Sequence, residues 1–117
     1  MRTELIPTYD NHKSFYKKAY VISYSDFMAL ESYGSLIAVV NKSGTLELTT
    51  YWDYSSTTSR HLAEFLRQWG FAPEAVGRPA LRKFLEHGDV TMTTEHDIKN
   101  RIFDADIEAV QKLANFA

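Results

Sequence analysis

The sequence predicts an α+β fold, with a small antiparallel sheet in the N-terminal half packed against three or four C-terminal helices. Three observations carry this. A short apolar run at 35–40 and a period-two alternation over 45–51 give way to apolar residues at the helical period from residue 62 onward. Asn41-Lys42-Ser43-Gly44 separates two apolar runs, which is the composition of a hairpin turn. The 117 residues fit one domain, 1–117, with no repeat and no long linker to divide it.

The elements follow in order. Residues 1–16 read as an extended or irregular arm, with room for a short helical turn, because Pro7 and Asp10-Asn11 interrupt any regular pattern. Lys18 to Tyr24 reads K-A-Y-V-I-S-Y, a strand favoured by branched and aromatic side chains. Residues 27–33 form a second strand or a short helix, ending at Gly34. Ser35 to Val40 and Thr45 to Tyr51 make a hairpin about the Asn41–Gly44 turn, with Leu46 and Leu48 on one face and Glu47 and Thr49 on the other.

Leu62, Phe65, Leu66 and Trp69 fall at i, i+3, i+4 and i+7, which places a helix over about 59–69. The hydroxyl run 55–59 supplies its cap and Gly70 its stop. Arg78-Pro79 opens a second helix that Gly88 closes. A third helical region follows Thr94, which with Asp97 resembles a capping box; Asp104 either lies within that helix or caps a separate last one. Residues 71–77 are the one plausible internal joint.

Composition narrows the chemistry. There is no cysteine, so disulfides, thiolate catalysis and zinc-thiolate sites are excluded. Thirteen basic against fifteen acidic residues give a net charge of −2, with no strongly basic half. Broad binding along duplex nucleic acid, which requires many neutralised phosphates, is disfavoured. No apolar run reaches the length of a membrane span, and residues 1–10 lack a signal-peptide core. The histidines, at 12, 61, 87 and 96, show no ligand spacing, and there is no G-x-S-x-G, G-x-G-x-x-G or Walker motif. The expectation is a protein that is not an enzyme and has no cofactor and no metal. Ser55 or Ser59 with His61 and Asp53 is the one triad-like grouping. It needs a base within hydrogen-bond reach of the hydroxyl and an oxyanion donor opposite.

Two stretches are candidate binding surfaces. The first runs from Tyr51 to His61, where Trp52 and Tyr54 precede Ser55, Thr58, Arg60 and His61 at a helix start. Rings there suit a partner's pocket, and hydroxyls with an arginine suit an anion. The competing expectation is that the rings pack inward, the hydroxyls cap and Arg60 pairs with Glu64. The second is the arm around Phe15, Tyr16 and Lys17, in which rings alternate with lysines; there Phe15 or Tyr16 is an anchor for a protein or a stacking surface for a base.

Ser14-Phe15-Tyr16-Lys17-Lys18-Ala19 and the segment from Tyr54 to Gly70, with its hydroxyl run, Arg60-His61 pair and F-L-R-Q ending, resemble small proteins of uncharacterised function from bacteriophages and mobile elements. The resemblance covers roughly residues 9–71. It implies no catalytic residue. It implies an accessory protein in the cytoplasm of a host cell that binds a host protein or complex, an inhibitor of a CRISPR effector being one such class. A homodimer is compatible with this expectation. The alternative is a small nucleic-acid-binding module using the lysine-rich arm and the Arg60 helix start.

Overall fold

Tyr33 and Gly34 both adopt left-handed backbone, with φ of 51° and 80°, and so form a two-residue hairpin turn matched to the twist of its strands. That turn joins β3 (Phe27–Ser32) to β4 (Ser35–Asn41) at the centre of the sheet. The computed structural model describes residues 1–10, 15–69, 77–88 and 90–116. Outward from the central pair lie β2 (Ala19–Ser23) and β1 (Arg2–Glu4) on one side, and β5 (Leu46–Leu48) and β6 (Val90–Met92) on the other. All neighbours are antiparallel except β5 and β6, which run parallel.

The architecture is the expected α+β one, with three differences in detail. The arm contributes a regular edge strand, because Arg2 to Glu4 pair with Tyr20 to Ile22. The second hairpin strand stops at Leu48, since the Thr49 hydroxyl turns inward to the Leu36 and Ile37 carbonyls and its residue caps a 3-10 helix over Thr50–Asp53. β6 had no strong signal, being three residues long and paired only across a crossover.

Helices cover both faces. α1 (Ser56–Gln68) begins three residues before the periodic run suggests, because Ser55 takes the cap and accepts from Thr58 N at 3.1 Å. It lies with α2 (Gly77–His87) over the face formed by Val21, Leu30, Val40, Leu46 and Leu48. α3 (Glu95–Phe116) is one uninterrupted helix through Asp104 and crosses the other face, where Ile98, Ile102 and Ala105 meet Phe27, Ala29, Leu36 and Val39. The proposed joint at 71–77 and the stop at Gly70 fall outside the described residues, apart from Gly77 at the start of α2.

α3 is anchored by polar contacts on its first half. Glu95 accepts from Leu36 N at 3.0 Å. Arg101 bridges Glu47 at 2.6 Å and Asn41 at 2.7 Å, with its guanidinium over the Phe27 ring. Burial pushes the Glu47 carboxyl up, but hydrogen bonds from Asn41 and Arg101 outweigh this and hold it below its ordinary range. Tyr24 donates to Asp106 at 2.5 Å, the last such anchor along the helix among the described residues. Burial, with this bond and the Asp106 charge, pushes the Tyr24 phenol up to about 12.

Candidate functional site

Three local features converge where α1 begins. The Tyr33-Gly34 turn projects the Tyr33 ring from the end of the central hairpin. The pairing of β3 with β4 slips between Leu30 and Glu31, so Ile37 is an extra residue and shares the α1-facing side with Ala38. The 3-10 helix after Thr49 then carries Tyr51 back over Ile37 toward Tyr54. Together these residues and Ser32, Ser35 and Thr58 line a cavity of about 480 Å³. Its rim is aromatic, with Tyr33 52%, Tyr51 46% and Tyr54 81% exposed. Its buried floor is formed by Ile37 with Ser32 and Thr58.

The floor continues into a buried polar network. Ser32 Oγ lies 2.7 Å from His61 Nδ1 and 3.5 Å from Thr58 Oγ1, which accepts from Ser55 Oγ at 3.1 Å. His61 is fully buried, edge-on to Phe15 at 4.6 Å between ring centres and beside Tyr33 at 5.7 Å. Ser59 Oγ donates to the Ser55 carbonyl at 3.1 Å. The hydroxyl run therefore does two jobs: it caps α1, and it pins the helix to the end of β3.

The residues singled out from sequence separate into groups. Tyr54, Ser55, Thr58 and His61 belong to one cluster, although Ser55 and His61 are engaged beneath the cavity rather than lining it. Phe15 is a core side chain and presents no ring to a partner. Tyr16 is 68% exposed, and Lys17 extends beside it with its ammonium 5.3 Å from the Tyr16 ring. The following residue, Lys18, approaches the cavity: its ammonium is 5.6 Å from the Tyr33 ring. Trp52 is half-buried against the core and lines a second hollow with Leu48, Arg82 and Leu85. Arg60 is half-buried. It does not hold Glu64, whose carboxylate is buried and accepts from Thr8 N, Tyr9 N and Asp10 N at 3.1, 2.9 and 2.9 Å, and from Gln68 at 2.9 Å.

Ser32, Tyr33 and Ser35 were not singled out from sequence. A Tyr-Gly pair between two apolar runs was their only local signal, and their proximity to α1 is long-range. The supposed grouping of Ser55 or Ser59 with His61 and Asp53 does not assemble as such. His61 bonds Ser32, and Asp53 meets Ser59 at 3.5 Å and pairs with Arg82. The chemical capacity of the arrangement is a hydroxyl–imidazole pair below an aromatic-rimmed cavity. Among the described residues no group of three or more acidic or histidine side chains is placed to hold a metal ion.

A mixed six-stranded sheet with helices on both faces and this tyrosine-rimmed cavity define a small α+β protein; none of its described helices is long and apolar enough to cross a membrane. The chain belongs to a family of unknown function (DUF8033), whose match spans residues 3–82 and so contains every residue of the cavity. No curated protein and no solved structure matches it.

Proposed function

We propose that this protein acts by binding another protein, with the cavity at the start of α1 receiving an apolar or aromatic side chain of the partner. One observation carries the proposal: three exposed tyrosines converge around a cavity floored by Ile37, Ser32 and Thr58. Tyrosine supplies a large apolar face at low conformational cost and keeps a polar tip for water or a partner, which suits it to interface centres. The Ser32–His61–Thr58 network holds the floor rigid, so little ordering is left for the binding step. The narrower form, an accessory protein of a phage or mobile element acting on a host protein in the cytoplasm, such as a CRISPR effector, rests on the resemblance of residues 9–71.

The test is capture of partners from host lysate with wild type and Tyr54→Ala, quantified by mass spectrometry. A specific protein retained by wild type and reduced at least tenfold by the variant is expected, because an aromatic anchor at an interface centre contributes about 2 kcal/mol or more. Equal capture by both would overturn the proposal. A nucleic-acid module, in which the same rings stack on bases, predicts instead a salt-sensitive complex with single-stranded probes. The net charge of −2, with no strongly basic half, favours the protein partner.

The Ser32–His61 contact supports a second reading, acyl transfer with Ser32 as nucleophile and His61 as its base. Ser32 is 2% exposed and its partner is Nδ1, which suits a structural pin better than an attacking hydroxyl. The expected result with a fluorophosphonate probe is no labelling. Labelling of wild type that Ser32→Ala abolishes would replace binding with catalysis.

A further inference from the structure

The second half of α3 leaves the sheet. Its inward stripe, Ile98, Ile102 and Ala105, ends with the Tyr24–Asp106 bond, and residues 106–114 are exposed all round. On the side of the helix turned away from the sheet, Phe103, Ile107, Val110 and Ala114 succeed one another at spacings of four, three and four. That is the alternation of an apolar helix–helix seam. Phe103 is 64%, Ile107 41% and Val110 65% exposed, with Leu113 beside them at 72%. A helical segment this short is marginal alone in water, and it needs a packed face to persist.

We infer that the outer stripe of α3 is the contact by which two copies of this chain pair, their helices antiparallel. The stripe is complementary to itself in that orientation. About a two-fold axis between Glu108 and Ala109, Phe103 faces the second copy's alanine at 114, and Ile107 faces its valine at 110. Each large side chain thus meets a smaller one. Asp104, Asp106 and Glu108 fall level with the second copy's residues 113, 111 and 109, a leucine, a glutamine and an alanine, rather than with another carboxylate. A parallel pair would set Phe103 against Phe103 and bring both sheets to the same end, whereas the antiparallel pair keeps them at opposite ends. Covering the stripe and its flanks on both copies removes on the order of 1,000 Å² from water, the lower bound for a specific interface.

The inference is independent of the cavity, since the stripe lies outside residues 3–82 and on the opposite face of the sheet. It is tested by sedimentation of the full chain over a concentration series, with wild type, Ile107→Glu and Tyr54→Ala. Wild type and Tyr54→Ala are expected to dimerise reversibly. Ile107→Glu is expected to be monomeric at every concentration, with an unchanged circular dichroism spectrum in the aromatic region. A wild type that stays monomeric throughout would overturn the inference, as would a dimer unaffected by Ile107→Glu.

Because the chain has no cysteine, orientation can be read by oxidation. Phe103→Cys mixed with Ala114→Cys should cross-link, while each alone should not, since in the antiparallel register like positions lie about 16 Å apart along the axis, too far for a disulfide. Cross-linking of each variant by itself would point to parallel helices and overturn the antiparallel register.

Discussion

α1 and α3 lie on opposite faces of one sheet and reverse the usual relation between chemistry and burial. α1 is the shorter, yet Thr58 to Leu66 are all buried except Arg60, including Thr58, Ser59, His61 and Glu64. α3 has 22 residues, of which Ile98 alone is fully buried among those described, while Phe103, Val110 and Leu113 stand in water. Polar groups enter the α1 face because each finds a partner there: Ser32 for His61, Ser55 for Thr58, three backbone amides for Glu64. Apolar groups stay outside on α3 because the sheet ends before the helix does. Burial here follows the availability of partners and of surface, and hydrophobicity decides only within those bounds.

Paired phenylalanine truncations should give the largest contrast. Phe65→Ala on α1 should cost about 3–5 kcal/mol in denaturant unfolding, because it empties a fully buried site. Phe103→Ala should change the stability of the dilute protein by no more than about 0.5 kcal/mol. Comparable losses would mean that the outer stripe packs within one chain, and the contrast between the helices would fail.

Next in size is Glu64→Gln. The amide keeps one oxygen for the three backbone N–H groups but loses the charge they bind, and it sets an NH2 where Gln68 Nε2 and the Thr8 hydroxyl donate, so a loss of about 2 kcal/mol is expected. Amide exchange at Thr8, Tyr9 and Asp10 should accelerate well beyond that of β2. Unchanged exchange there would show that the arm is held by something other than this carboxylate.

The smallest effect concerns the α3 side and its pH dependence. Tyr24 is protonated in both folded and unfolded chains below its ordinary value of 10.0. Between there and about 12 only the unfolded chain releases the proton. The folded state therefore keeps the full contribution of this group below pH 10 and loses it as pH rises through that window. Tyr24→Phe should flatten the corresponding part of the alkaline stability curve relative to wild type. An unaltered slope would mean that the Tyr24–Asp106 bond does not persist in solution.

Sequence periodicity located the hairpin at Asn41–Gly44, the central strands and all three helices, because those features depend on near neighbours. It placed the chemistry of residues 54–61 in one cluster for the same reason. It did not reveal that Ser32 and Tyr33 complete that cluster. Their contact with His61 depends on a bulge at Ile37 and on a helix 26 or more residues downstream. Phe15 shows the converse: a ring amid lysines reads as surface, yet it lies in the core against His61 of α1. The outer stripe of α3 was visible as spacing, but spacing does not say which side of a helix a sheet will cover.

The parallel pairing of β5 with β6 bears on the order of assembly. Strands β2 to β5 can zip together through tight local reversals. β6 pairs with β5 only after α1 and α2 have intervened in the chain and packed on the same side of the sheet. Until then Leu46 and Leu48 sit on an open rim whose backbone groups are free to recruit another chain. Nascent or truncated protein lacking β6 should therefore aggregate, while the completed chain seals that rim with a three-residue strand and the bond from Thr93 N to the Leu48 carbonyl at 2.7 Å.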